Sequence, residues 1–458
     1  MKKKMKLIAV MAFIFSMLHA PVVSAVGEAP TQSVSDFDRK ITARFDSERS
    51  MQHIEHLSEE LGPRVTGTEA EKQAAQYIKD ELERYGYEVQ TEEFNIPSQM
   101  QGALTTSISE DELSIRIATG SPSTLDDGVT GVLYHSGTGE KGDFSEEVEG
   151  NIALIERGEL TFWEKVDHAI ETGAAGVIIY DNTEGLVPPS PSLGGNIASI
   201  PVVAITQADG QLLLSKMATE NVTATIKIDE LEKQTSQNII AVKPPKGNSA
   251  DDDIVYVTAH YDSVPYAPGA NDNASGTSVV LELARIMKAY PTDKEVRFVF
   301  FGAEEIGLVG SRYYVSQLSP SDKNRSLANF NLDMVGTEWE NATAFFVNVT
   351  DGAPNLVWQS SKKAAERLEN DTLVLHQGGS SDHVSFHEAG IDSANFIRRE
   401  PGTAALEPWY HTPFDTIDHI SQDHIQEAGE LIGSAIYDVV RKQTPQNKQP
   451  STPIMQMQ

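Results

Sequence analysis

From Glu232 onward, short apolar runs alternate with longer amphipathic stretches, and no other feature restricts the fold so tightly. Residues 254–259, 296–301, 329–332 and 394–397 read as buried strands. Between or after them, residues 275–290, 356–368 and 424–441 carry apolar side chains at helical spacing. This alternation predicts an α/β fold with a mixed, mainly parallel sheet flanked by helices.

Nearer the N-terminus, residues 47–89 read as helix interrupted at Gly62-Pro63. Thr68 precedes Ala74, Ile78, Leu82 and Tyr85 at helical spacing, Gly86 closes the segment, and a strand starts at Tyr87-Glu88-Val89. Between Ser98 and Glu230 the texture changes to short apolar runs between turns, at 131–134, 152–155, 177–180 and 200–203, with one helix over 162–172. That predicts a separate small, strand-rich domain. A chain of 458 residues also exceeds the roughly 250–300 at which single cores stop growing. The expected division is a main domain over 26–97 and 231–443, an insert over 98–230 and a disordered tail over 444–458, which carries Gln, Pro, Lys and Ser with no apolar period.

The first residues have the pattern of a secretory signal peptide. Lys2, Lys3, Lys4 and Lys6 precede an apolar run from Leu7 to Leu18, and Val23-Ser24-Ala25 places small residues at alternate positions. His19, Pro21 and Ser24 interrupt the run short of the roughly 20 apolar residues a membrane span needs. A secreted chain without a membrane anchor is expected once residues 1–25 are removed. The chain has no cysteine, so any metal site must be built from histidine and carboxylate. Its formal net charge of −31 argues against nucleic acid as a partner.

Several residues with the right chemistry fall just after expected strands, the edge at which open α/β sheets bind ligands. His260 follows the strand 254–259, and Asp262 is placed to accept the imidazole's other N–H. Asp272 lies in a small-residue loop that opens a helix, where an aspartate taken alone reads as an ordinary N-cap. Glu304 and Glu305 follow the strand 296–301, and Asp333 follows the strand 329–332. His411 lies later, between Tyr410 and Thr412-Pro413. Each has a structural explanation singly. As a set, they suit two divalent ions bridged by one aspartate, zinc foremost, with manganese and cobalt chemically allowed.

The motifs His260-Tyr261-Asp262-Ser263, Gly269-Ala270-Asn271-Asp272-Asn273-Ala274-Ser275-Gly276, Gly302-Ala303-Glu304-Glu305-Ile306-Gly307, Asn331-Leu332-Asp333-Met334 and Tyr410-His411-Thr412 resemble those of the co-catalytic double-zinc aminopeptidases. Residues 155–158, Phe162, Lys165, Ala169 and 173–177 resemble the protease-associated domain inserted in several exopeptidases. The resemblance implies the zinc-exopeptidase fold, of phosphorylase/hydrolase type, and two Zn²⁺ per chain. It implies one ion on His260, Asp272 and Asp333 and the other on Asp272, Glu305 and His411. Glu304 is then the general base, and the Tyr410 hydroxyl stabilises the oxyanion. The implied substrate is a peptide with a free N-terminus, its first residue apolar or basic.

Residues 378–386 resemble a loop beside such sites, which makes Asp382 and Phe386 candidate substrate contacts and His383 a reserve candidate. Phe396 is a further candidate for the pocket. Relatives with similar metal sites include carboxypeptidases, dipeptidases and cyclases of N-terminal glutamine, and Arg398-Arg399 keep a carboxylate clamp open. A non-enzymatic binding module would be marked by lost ligands, and none is lost here.

Overall fold

The computed structural model describes residues 35–247 and 252–441. The expected leader at 1–25 and tail at 444–458 lie outside the described residues.

One eight-stranded sheet contains β1 (Val89–Asn95), β2 (Thr235–Lys243), β3 (Ile254–His260), β4 (Glu295–Phe301), β5 (Ser326–Leu332), β6 (Ala344–Val349), β7 (Leu373–Gln377) and β8 (Asp392–Arg399). Its order is β1-β2-β4-β3-β5-β8-β6-β7. The centre is parallel: β4 with β3, β3 with β5, and β5 with β8. β6 with β7 is also parallel, whereas β1 with β2, β2 with β4, and β6 with β8 are antiparallel. The expected mixed, mainly parallel sheet is therefore present, with three strands the sequence reading did not identify: β2, β6 and β7.

Alternation along the central strands divides the core into two layers. Val255, Val257, Ala259, Val296, Phe298 and Phe300 face the helices Glu69–Arg84, Gly276–Lys288, Leu356–Leu368 and Gln422–Val440. Ile254, Tyr256, Val299 and Phe301 pack on the opposite face with Tyr314, Val315 and Phe386, from the helices Val309–Gln317 and His383–Glu388. Helices thus cover both faces, and the edge left open is the one at the C-terminal ends of β3, β4 and β5.

A second eight-stranded sheet is formed by segments between Gln99 and Leu231. Its four parallel strands, Val129–His135, Ile152–Glu156, Gly176–Tyr180 and Val202–Ile205, lie side by side. The helices Phe162–Glu171 and Gln207–Met217 cover opposite faces through Val166 and Ala169 on one side and Leu213 on the other. This unit touches the main one where the Tyr266 hydroxyl donates to the Ile115 carbonyl. Tyr266 belongs to the loop between His260 and Asp272, so the second unit rests on a segment that helps form the candidate site.

Candidate active site

The open edge of the main sheet gathers the acids and histidines. His260 is the last residue of β3 rather than the first of the loop, and it is almost wholly buried. Glu304 and Glu305 follow β4 through Ala303, whose φ of 58° turns the chain sharply away from the strand. Asp333 follows β5 and precedes Met334 at φ 61°, and His411 itself has φ 57°. Left-handed backbone at non-glycine residues costs roughly 1–3 kcal/mol each and persists where surrounding structure enforces it. Here it falls at or next to three of the residues that converge.

Asp272 does not cap a helix. The helix Gly276–Lys288 starts after Ser275, and Asp272 has extended backbone at φ −110°, ψ 91°. A Cβ on Gly276 would overlap the Leu332 carbonyl, so glycine there lets the turn approach the end of β5, next to Asp333. The two carboxylate oxygens of Asp272 face different histidines: Oδ1 is 3.3 Å from His260 Nε2, and Oδ2 is 3.1 Å from His411 Nε2. Asp333 Oδ1 is 3.4 Å from His260 Nε2, and Glu305 Oε2 is 3.4 Å from His411 Nε2.

These separations suit a shared cation better than direct pairing. Charge-assisted N–H···O bonds run about 2.7–2.9 Å. Tetrahedral zinc ligands about 2.0–2.1 Å from the ion stand about 3.3–3.4 Å apart. One oxygen of Glu305 and one of Asp333 are buried without a hydrogen-bond partner. Donor atoms of His260, Glu304 and Asp333 lie within 4.8 Å of one another, as do those of His260, Asp272 and Glu305. Burial raises Glu304 well above the ordinary carboxylate range and also raises Glu305, beside Asp272. Burial opposes ionisation of Asp272 too, but the neighbouring His260 and His411 hold it below its ordinary value. So many acids in one buried cluster require positive charge, and two imidazoles supply little. The donor set therefore fits zinc.

Asp262 lies beside the His260 ring nitrogen that its expected role requires, and it has a second task. His260 Nδ1 lies 3.2 Å from the Asp262 backbone carbonyl and 3.6 Å from its carboxylate. The carboxylate also accepts the backbone N–H of Glu304 at 3.1 Å and of Glu305 at 3.2 Å, plus the Thr66 hydroxyl at 2.8 Å. It ties the His260 loop to the Glu304-Glu305 turn.

A cavity of about 330 Å³ opens onto the cluster, lined by His260, Asp272, Glu304, Glu305, Asp333 and Tyr410, with Leu308, Met334, Ile397, Leu406 and Arg399 among its wall residues. Tyr410 stacks on His411 with ring centroids 3.8 Å apart. Burial, together with Asp272 and Glu305, raises its phenol so that it keeps its proton.

The loop candidates fare differently. Phe386 is fully buried against Tyr256, Phe301 and Tyr314, and Phe396 stacks on Phe330 in the opposite layer. Both are core residues, so the expectation that Phe386 contacts substrate is corrected: the short helix His383–Glu388 turns it into the packed layer beneath the site. Asp382 is fully buried with neither oxygen hydrogen-bonded, behind the cavity wall rather than on it. His383 holds Nε2 2.8 Å from the Gly378 carbonyl. Arg398 is spent on Glu427, whereas Arg399 reaches the cavity wall and donates to the Ala404 carbonyl at 3.0 Å.

Arg64, Glu407 and Asp415 were not singled out from sequence, yet all three hold the site. The buried Arg64 guanidinium donates to the carbonyls of Tyr261 at 2.7 Å and Gly269 at 2.9 Å, spanning the loop from His260 to Asp272. Asp415 lies four residues after His411, and an acid so close to a candidate ligand is the one signal that would have marked it.

Comparison with known proteins agrees with this geometry. Residues 238–436 match the model of peptidase family M28, and residues 129–213 match the PA domain. The chain is 48% identical over 457 residues to aminopeptidase YwaD of Bacillus subtilis, covering 100% of this chain and 97% of that one. Among solved structures it resembles BSAP, a zinc aminopeptidase from Bacillus subtilis, at 50% identity and TM-score 0.75, covering 88% of this chain and 97% of the other. It also resembles an aminopeptidase from Aneurinibacillus sp. strain AM-1 at 39% identity and TM-score 0.62, covering 88% and 96%. End-to-end identity at this level, carried on a sheet edge that collects two histidines and a cluster of acids, shows that the chain belongs to peptidase family M28 and carries a PA domain.

Proposed function

We propose that this chain is a secreted aminopeptidase that removes N-terminal residues from peptides with the help of two zinc ions. The observation that carries the reading is Asp272, with one oxygen toward His260 and the other toward His411. His260, Asp272 and Asp333 would hold one ion, and Asp272, Glu305 and His411 the other. When bound, the ions would supply Lewis acidity, acidifying a water and polarising the scissile carbonyl. Glu304 takes the proton of the attacking water and passes it to the leaving amine, a task for which a carboxylate raised by burial is suited. The Tyr410 hydroxyl donates to the oxygen on which negative charge develops. Asp262 keeps Glu304 and Glu305 apart in function by fixing the backbone of both.

Secretion rests on the leader pattern in residues 1–25, and no helix among the described residues is long and apolar enough to cross a membrane. The domain division at 97/98 and 230/231 is supported by the second sheet's strands, all of which lie between Gln99 and Leu231. Leu308, Met334, Ile397 and Leu406 on the cavity wall support an apolar first side chain. The basic alternative has the acidic balance of the chain behind it, with Arg399 on the same wall against it.

The polarity of attack is tested by blocking either end of a leucine-containing peptide. N-acetylation is expected to abolish turnover, whereas C-terminal amidation leaves it within a few fold. The reverse pattern would show that Arg399 clamps a terminal carboxylate and would replace this reading with a carboxypeptidase. Tyr410→Phe is expected to lower kcat by about 10²-fold with KM little changed, the size of effect seen when one oxyanion donor is removed. Unchanged kcat would return Tyr410 to a packing role against His411.

A further inference from the structure

The segment that delivers His411 also grips the main chain from which Asp272 projects. Asp415 is almost fully buried. Its Oδ1 accepts the backbone N–H of Asn271 at 2.7 Å, and its Oδ2 accepts that of Asp272 at 3.1 Å. Its own carbonyl accepts the N–H of Ala270 at 3.1 Å. Three consecutive amides are therefore held by one residue. Glu407, on the same segment, accepts from the Asn271 side chain at 2.9 Å, and Asn271 in turn accepts from the Gly336 N–H at 3.0 Å.

A buried carboxylate close to Asp272 and the other acids is costly. The buried Arg64 guanidinium offsets part of that cost, and since uncharged groups would satisfy a turn needing two acceptors, the anion does more here than cap it. Charge-assisted bonds to consecutive amides fix a backbone more firmly than neutral ones. With Oδ2 of Asp272 facing His411, rotation of this peptide would take both Asp272 oxygens off their histidines together.

We infer that Asp415 is a positioning residue for the metal centre: by holding the Asn271 and Asp272 amides, it fixes the orientation in which one aspartate serves two ions. This rests on the reading of Asp272 as the shared ligand. Because Asp415 and His411 are four residues apart, the same strap sets the second ion's histidine and the bridging carboxylate. The positions of the two ions are thereby made dependent on each other.

The test is titration of full-length, metal-stripped protein with zinc against a chromophoric chelator, together with the visible spectrum of the cobalt(II)-loaded form. Asp415→Asn is expected to bind zinc about 10- to 100-fold more weakly, the usual effect of losing a group that orients a metal ligand. It should also show altered cobalt bands and recover turnover at high zinc. Wild-type affinity and an unchanged cobalt spectrum would overturn the inference. Should Asp415→Asn not fold, Asp415→Ser is measured in the same way, and failure of both to fold with zinc present would assign Asp415 to the fold and likewise overturn it. Fewer than two ions in the unsubstituted protein would refute the shared-ligand reading itself, whatever the variants do.

Discussion

Glu304→Gln is expected to lose about 10²- to 10⁴-fold in kcat, the range that general acid–base catalysis supplies, while still binding two zinc ions. Glutamine has nearly the same shape, and the backbone at 304 is fixed by Asp262 independently of the side chain. The variant should therefore fold and load normally, with KM close to that of the parent, because only the proton acceptor has gone. Glu305→Gln should behave in the opposite way and lose the ion shared with His411, since its carboxylate faces that imidazole at 3.4 Å. The pair of variants matters because the donor atom of Glu304 is close enough to His260 and Asp333 to form a ligand set of its own. Metal analysis by mass spectrometry, run beside steady-state kinetics, separates the two assignments. One zinc in Glu304→Gln with two in Glu305→Gln would exchange the roles of the neighbours.

The parts of the site legible from sequence were those that follow apolar strands. β3, β4, β5 and β8 are continuous buried runs, so their C-terminal ends, and the acids beyond them, could be located within a residue or two. β2 escaped notice because Ser236, Gln237 and Asn238 are polar. They are buried only because Glu71, Tyr261 and Gly310 meet them from elsewhere in the chain. Asp272 looked like a helix cap because its neighbours are small and polar. The bent turn that frees its carboxylate depends on Asp415, 143 positions away. Arg64 follows the Gly62-Pro63 break with nothing local to mark it, and its role appears only when the loop carbonyls of Tyr261 and Gly269 fold over it. Phe386 shows the converse, since its closeness to a motif in sequence said nothing about which face of the sheet it would enter. Local pattern fixes where a strand stops. Which side chain then points at a ligand is decided by contacts between distant segments.

Removing divalent ions with a chelator at pH 8 is expected to abolish turnover and to lower Tm by about 10 °C. One ion at a thousandfold over its Kd stabilises by about 4 kcal/mol, and about 2–4 °C per kcal/mol applies to a domain of 150–250 residues. The loss should shrink as pH falls toward 5. Burial raises Asp415 to about 7 and Glu407 to about 8 at the site. Glu71, buried where its carboxylate meets Ser236, is raised to about 8, with Asp262 adding to the effect. A carboxyl whose folded-state pKa is raised binds protons more tightly in the folded chain than in the unfolded one. Its contribution to stability is therefore fully present below about pH 4 and is lost as pH rises through 7 to 8. His411 acts in the same direction at higher pH: burial opposes its charge, but Asp272 and Glu305 raise it to about 10. Tm of the stripped protein should thus fall between pH 5 and pH 8. That of the zinc-loaded protein should hold or rise, because protons and zinc compete for Glu305 and His411, and bound zinc would favour the ionised form of the acids beside it. Calorimetry of both forms across that window checks the sign. A stripped protein whose Tm is flat or rises from pH 5 to 8 would mean that its buried acids are neutralised from within the chain, and that the cluster does not need metal to be tolerated.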